Sequence, residues 1–274
     1  MTSLALSARS SFGILSELIR RHRTLAGYGL ALLVLTPPVL MMIAADPRLL
    51  PTGISPWLKP GKFLVSIGLF ALTAAWFFGY VRPERRDTRL LRWTVGALIL
   101  SASFELFWIT WQAAHGVDSH FNNSTPLNSV MFSLMGLFAL ILTATTLPLA
   151  WEIARRPAEG LPGDYVAAVV AGLVLTWLLG TGAGLVIAFG GGPTVGAEGL
   201  GLPVLGWNRL GGDVRVAHFL GIHAEQLIPA AAALIGGFTL TVRRRMIVAG
   251  VIAYVAVTLA VLDQALAGRP LIPA

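Results

Sequence analysis

Residues 61–81 read GKFLVSIGLFALTAAWFFGYV, and beyond Lys62 none of them is charged. About 20 apolar residues in a helix cover the ~30 Å hydrocarbon core of a bilayer. Residues 165–190, YVAAVVAGLVLTWLLGTGAGLVIAFG, carry no charge at all. Outward from these two stretches, runs of the same kind lie at 26–45, 93–113, 127–150, 217–241 and 246–267. With 62–81 and 165–189 they make seven predicted spans. In lipid every backbone amide must find a partner within its own segment, which selects helices for long apolar runs. The predicted fold is therefore all-α, a polytopic bundle of seven transmembrane helices. Composition agrees: only 12% of the 274 residues are charged and 55% are hydrophobic, against about 25% charged in soluble domains. Pro37 and Pro38 interrupt the first span, where a kink is expected.

The basic residues set the orientation. Fourteen arginines, from Arg9 and Arg20 through the Arg82–Arg92 group to Arg155, Arg156 and Arg243–Arg245, fall on one side of the predicted spans. Six basic residues, Arg48, Lys59, Lys62, Arg209, Arg215 and Arg269, fall on the other. The positive-inside rule places the N-terminus in the cytoplasm and the C-terminus outside, in a cell membrane of bacterial inner-membrane type. The expected organisation is a cytoplasmic interfacial segment at 1–25, a transmembrane domain at 26–267 and an extracytoplasmic tail at 268–274. In the first of these, Leu4, Ala5, Phe12, Leu15, Leu18 and Ile19 recur loosely at helical spacing before Arg20. The net charge of +7 does not point to nucleic acid, because the arginines sit in short clusters between apolar spans. The expected partners are the lipid bilayer and a small molecule. With no cysteine in the chain, disulfides, thiolate ligands and cysteine nucleophiles are excluded.

Three polar segments fall at the outer ends of different predicted spans: Trp57–Phe63, His115–Asn123 and Asp213–His223. Four of the five histidines, His115, His120, His218 and His223, lie there, and only His22 is on the inner side. In span three, Ser101, Glu105, Trp108, Gln112 and His115 step by three and four residues. That spacing draws one stripe along a helix. Glu105 lies ~12 Å below the outer end, His223 ~10 Å and Asp263 ~6 Å, at 1.5 Å per residue. A carboxyl at such depth is costly unless paired, protonated or hydrated. No Lys or Arg is expected to lie deep enough to neutralise these groups directly.

These residues suggest roles. Glu105, Glu225 and Asp263 are candidate catalytic acids or bases. His115, His120, His218 and His223 are candidate metal ligands, since imidazole with carboxylate suits zinc, iron or manganese. Haem b, held by axial histidine, is the other cofactor considered. His218 and His223, five residues apart, stand about 140° apart on a regular helix and would not ligate together. Lys59, Lys62, Gln112, Asn122, Arg215 and Gln226 are candidate substrate contacts. The leading expectation is an outward-facing, metal- or haem-dependent membrane enzyme. The alternatives are a proton-coupled transporter of a small solute and a binding or sensory membrane protein. The chain lacks a His-Glu-x-x-His zinc helix, a Gly-x-Ser-x-Gly elbow and a Lys in span seven for a retinal Schiff base. Gly180–Gly184 is expected to serve close helix packing, and Gly190–Gly212 to form a plain flexible outer loop.

Overall fold

The computed structural model describes residues 11–274. The part of the expected interfacial segment at 1–10, with Leu4, Ala5 and Arg9, lies outside the described residues. The chain divides after Thr145 into two compact units.

The first unit holds α1 (Ser11–Arg21), α2 (Arg23–Ala45), α3 (Leu58–Phe78), a short 3₁₀ turn (Pro83–Arg85), α4 (Arg89–Ala114) and α5 (Pro126–Ala144). His22 separates α1 from α2: its backbone is extended, and its Nδ1 accepts the Leu25 amide at 3.2 Å. Thr125 caps α5 in the same manner, accepting from Asn128 N at 3.2 Å, with Pro126 following at the first helical position. Pro37 and Pro38 lie inside α2, which runs on to Ala45. Helices α2 and α3 meet backbone to backbone at Gly29 and Gly68, where a Cβ on Gly29 would stand 2.8 Å from the Gly68 carbonyl oxygen. Glycine permits that approach where any side chain would hold the helices apart. Leu32, Leu64, Ile67, Ala102 and Leu106 form the core between α2, α3 and α4. Trp108, Ile109 and Met135 form a second core where α4 meets α5.

The second unit holds α6 (Thr146–Arg155), α7 (Gly163–Leu175), a π turn (Thr176–Gly180), α8 (Thr181–Phe189), α9 (Arg215–Ile222), α10 (Ala224–Leu234) and α11 (Leu240–Leu266). The loop between α8 and α9 is organised. Its strands β1 (Thr194–Val195) and β2 (Gly212–Asp213) pair antiparallel, with Thr194 opposite Asp213. Asn208 also ties back to the Ala197 carbonyl at 2.7 Å. Ala183, Val214, Ala217 and Ala265 bring α8, α9 and α11 together beneath it. The predicted sixth span, 217–241, is two helices that break at His223 and stop at Leu234.

Among the described residues, six helical stretches are long and apolar enough to cross a membrane: 23–45, 58–78, 89–114, 126–155, 163–189 and 240–266. Many of their apolar side chains, Val34, Met41, Leu137, Val248 and Ile252 among them, face outward. Such surfaces call for lipid as solvent. The chain is a mostly helical, multi-pass membrane protein.

Candidate functional site

In the first unit the polar stripe of α4 faces inward. Ser101, Glu105, Trp108 and Gln112 are all buried, Ser101 and Glu105 at 0% and 3% exposure. His115, the last member, is exposed at the helix end, where its Nδ1–H donates to the Trp111 carbonyl at 2.8 Å. Gln112 donates weakly to Asn128 Oδ1 at 3.3 Å and to the Asp118 carbonyl at 3.4 Å. Two polar atoms on the stripe have no hydrogen-bond partner, Glu105 Oε1 and Ser101 Oγ. They belong to residues one helical turn apart, so they occupy adjacent rungs of one helix face.

The surroundings come from α3, the 115–125 loop and α5. Lys59, in the first turn of α3, lies close enough for its charge to act on both Glu105 and His120. It forms no ion pair with Glu105 among the described residues. His120 is half-buried, with its ring centroid 6.2 Å from both Phe63 and Phe132 and its Nδ1 3.1 Å from Ser119 Oγ. Burial, with the Lys59 charge added, holds its imidazole well below the ordinary histidine value. Phe121, at φ +56°, turns its ring onto Phe132, 4.8 Å between centroids. Asn122 is used within its own loop, donating to the Asp118 carbonyl at 3.0 Å and accepting from Ser124 Oγ at 2.7 Å. Lys62 is half-buried one turn further along α3.

In the second unit, the broken helix α9–α10 packs against the π turn. His218 Nδ1–H donates to the Gly180 carbonyl at 2.9 Å. The Glu225 amide donates to Thr176 Oγ1 at 2.9 Å. The Glu225 side chain is 1% exposed, and its Oε1 accepts from Gln226 Nε2 at 2.8 Å. Gln226 Oε1 in turn lies 3.3 Å from His223 Nδ1. His223, Gln226 and Glu225 thus form a hydrogen-bonded chain that runs from a half-buried imidazole to a fully buried carboxyl. Tyr254 of α11 donates its hydroxyl to the Leu220 carbonyl just before the break. A π turn and a broken helix at one place are features that recur where membrane proteins hold ligands or ions.

Besides Glu152 of α6, five buried carboxyls fall into two kinds. Asp46 holds Arg48 at 2.6 Å, Asp213 holds Arg215 at 2.5 Å and Asp164 holds Arg243 at 2.7 Å. Asp46-Pro47-Arg48 and Asp213-Val214-Arg215 share one local design, in which the Asp accepts both the backbone amide and the guanidinium of the Arg two residues on. Arg215 also reaches the Gly206 carbonyl, so its guanidinium is already engaged in the loop. Glu105 and Glu225 are in no ion pair among the described residues. Asp263 is exposed near the end of α11, beside Gln264 and Arg269 in an open recess.

Among the described residues, no group of three or more His, Asp or Glu stands close enough to hold a metal ion. The expected histidine cluster is not formed as such. His115 turns outward, His120 sits among aromatic rings, and His218 and His223 are separated by the helix break. The paired arginines, the π turn and the Lys59–Glu105 proximity were not expected from sequence. Only the two Asp-x-Arg triplets leave a local signal. No protein-family description matches the chain, and neither curated proteins nor solved structures give a match.

Proposed function

We propose that the protein moves a small solute across a membrane together with protons. One observation supports this above the others. Asp46, Asp164 and Asp213 hold arginines, whereas Glu105, in the middle of α4, and Glu225, in the first turn of α10 at the helix break, are buried with no ion-pair partner among the described residues. An uncompensated carboxylate in hydrocarbon is costly, so a carboxyl so placed changes charge together with a bound proton or ligand. Counted with α9–α10 as one span, the chain crosses seven times, N-terminus inside by the arginine bias. Lys59, His120 and His223 then lie toward the extracytoplasmic side of a bacterial-type inner membrane. The His223–Gln226–Glu225 chain provides the hydrogen-bonded contact between that side and the buried carboxyl.

The test is proton movement in liposomes containing the purified chain and a trapped pH-sensitive dye. Adding a transported solute draws protons in. Glu105→Gln and Glu225→Gln each abolish this while leaving thermal unfolding unchanged. Solute uptake without proton movement, or uptake indifferent to both substitutions, would remove the proposal.

A second function has one observation in its favour. The His218 Nδ1–H held by the Gly180 carbonyl is the contact that orients an imidazole whose Nε2 binds a metal or haem iron. A visible absorption band in the purified protein, lost in His218→Ala, would favour a haem- or metal-dependent membrane enzyme.

A further inference from the structure

The loop between α8 and α9 closes on itself beyond its two-stranded base. Gly201 bridges Asn208, and Leu202 N donates to the Trp207 carbonyl at 2.8 Å. Gly206 N donates to the Leu202 carbonyl and Leu205 N to the Pro203 carbonyl, both at 2.7 Å. The last bond closes a tight turn around Val204, whose φ is +63°. A left-handed backbone is rare at a β-branched residue, and glycine is its usual occupant. Strain of this kind concentrates at sites of function.

The tip of the loop is apolar. From Gly199 to Asn208 the chain carries no charge, with Glu198 and Arg209 on either side. Arg209 is directed away, donating to the Pro273 carbonyl at 2.8 Å. Leu200 is 86% exposed and Val204 66%, and Leu205 and Leu210 are exposed as well. So many apolar side chains together are unfavourable in water and mark a surface that meets a partner.

Packing sets the depth of this tip. A Cβ on Gly184 would lie 3.4 Å from the His218 ring, so His218, and Phe219 after it, stand at the level of Gly184. Gly184 lies ~7 Å inside the end of α8 at Phe189, at 1.5 Å per residue. The Trp207 ring meets Phe219 edge-on, 5.8 Å between centroids. Arg215, at the start of α9, holds the Gly206 carbonyl. The loop therefore turns back along α9 instead of standing off the helix ends. The 27 residues of the 163–189 stretch span ~40 Å, the thickness of a bilayer with its headgroups. A point ~7 Å inside its end is near the edge of the hydrocarbon, the level that tryptophan favours. Phe189 and Phe219 are exposed beside it, so the tip continues the lipid-facing surface of the helices. The amides of Leu202, Leu205 and Gly206 are satisfied within the turn and Pro203 has none, as contact with lipid requires.

We propose that residues 200–205 form a membrane-dipping turn, which seats Leu200, Val204 and Leu205 between the headgroups and the acyl chains of the bilayer on its own side. The absence of charge at the tip and its level beside the lipid-facing helix ends select lipid as the occupant. Anchored there, the turn keeps the loop folded over the start of α9. This does not depend on the transport function proposed above.

The chain has no cysteine, so Leu200→Cys and Val204→Cys each supply a single thiol for a nitroxide label. The full chain is reconstituted in vesicles of phosphatidylcholine with phosphatidylglycerol. Electron paramagnetic resonance reads collisions of the label with oxygen, which is enriched in lipid, and with a neutral nickel chelate, which is enriched in water. Both reagents are present on both sides of the membrane. Val248→Cys on α11 is the lipid reference, and Glu159→Cys, in an exposed turn after α6, is the water reference. The ratio of oxygen to nickel collisions at 200 and 204 should lie several-fold above that at 159 and approach that at 248. A ratio at both positions equal to that at 159 would overturn the proposal, because the turn would then stand in water. Loss of collisions with both reagents at both positions would also overturn it, and would give the surface to a second copy or another protein. Leu200 lies outside the strained turn, so its variant decides the matter where Val204→Cys fails to fold.

Discussion

Trp57 donates its indole N–H to Asp46 Oδ2 at 2.7 Å and so fastens the first turn of α3 to the end of α2. Asp46 is nearly surrounded by donors, since Arg48 supplies its backbone amide, Nε and Nη2 as well. These bonds, Arg48 first and Trp57 second, hold the Asp46 carboxyl well below the usual carboxylate range. A depressed carboxyl stabilises the fold above its unfolded value and loses that contribution as pH falls toward the folded one. The unfolding temperature in detergent should therefore be steady from neutral pH to about 5 and then decline, given an unfolded Asp near 3.9. In Asp46→Asn the unfolding temperature should be lower at neutral pH and the acid decline shallower. An unaltered acid decline in this variant would show that other carboxyls govern it.

Gly221 should not tolerate a methyl group. A Cβ there would lie 2.5 Å from Gly180 N and 2.6 Å from the Leu179 carbonyl carbon, both backbone atoms. Overpacking of this kind costs about 1–3 kcal/mol. Gly221→Ala should lower stability by that amount in a denaturant series. Gly182→Ala, with open space around the new methyl, should change it little. Equal effects in the two variants would contradict the close backbone contact.

His120 should make the first unit sensitive to mild acid. Its imidazole value is depressed in the fold by burial and by Lys59. Unfolded histidine titrates at about 6.5, so below that pH the unfolded chain binds a proton that the folded one refuses. Stability is full above about pH 6.5 and falls as pH drops below it, until the folded value is reached. In His120→Phe, this part of the pH profile between about 6.5 and 5 should flatten. Proton NMR of labelled histidine would report the depressed titration directly.

Arg243 faces Asp164 across 2.7 Å, and both side chains are largely buried. Removing one partner of such a pair strands the other, at a cost of about 3 kcal/mol. Arg243→Met should destabilise the second unit by roughly that amount. The double variant Arg243→Met with Asp164→Leu should recover most of the loss. A double variant no better than the single would mean that the pair's charge is not what matters there.

The sequence made the helices and the buried stripe legible for the same reason: both are local patterns. Apolar runs gave the expected span at 246–267, found as a helix over Leu240–Leu266, and three- and four-residue steps placed Ser101, Glu105, Trp108 and Gln112 on one buried face. The break at His223 was not legible. It is stabilised by partners far along the chain, Thr176 for the Glu225 amide and Tyr254 for the Leu220 carbonyl. Lys59 was legible as a polar residue at the outer end of a span, but where it stands relative to Glu105 was not, because that depends on how α3 packs on α4. The histidines shared one side of the predicted topology, but a side is not a site. His115 and His120, five residues apart, already point to different surroundings.

The π turn at Thr176–Gly180 has a consequence for the line of small residues that meets α9 and α10. Gly172 lies against Ala224 and Pro229, Thr176 holds the Glu225 amide, Gly180 meets Ile222, and Gly184 meets the His218 ring. In an unbroken α-helix, residues four apart drift by about 40° per step, so these positions would turn away by about 120° from first to last. The extra residue absorbed by the π turn winds back about 100° of that drift. The turn thus acts as a phase corrector, keeping a four-residue ladder on one meridian of the helix along its whole length. Deleting a single residue within 176–180 would therefore rotate Gly184 off His218 while leaving Gly172 in place.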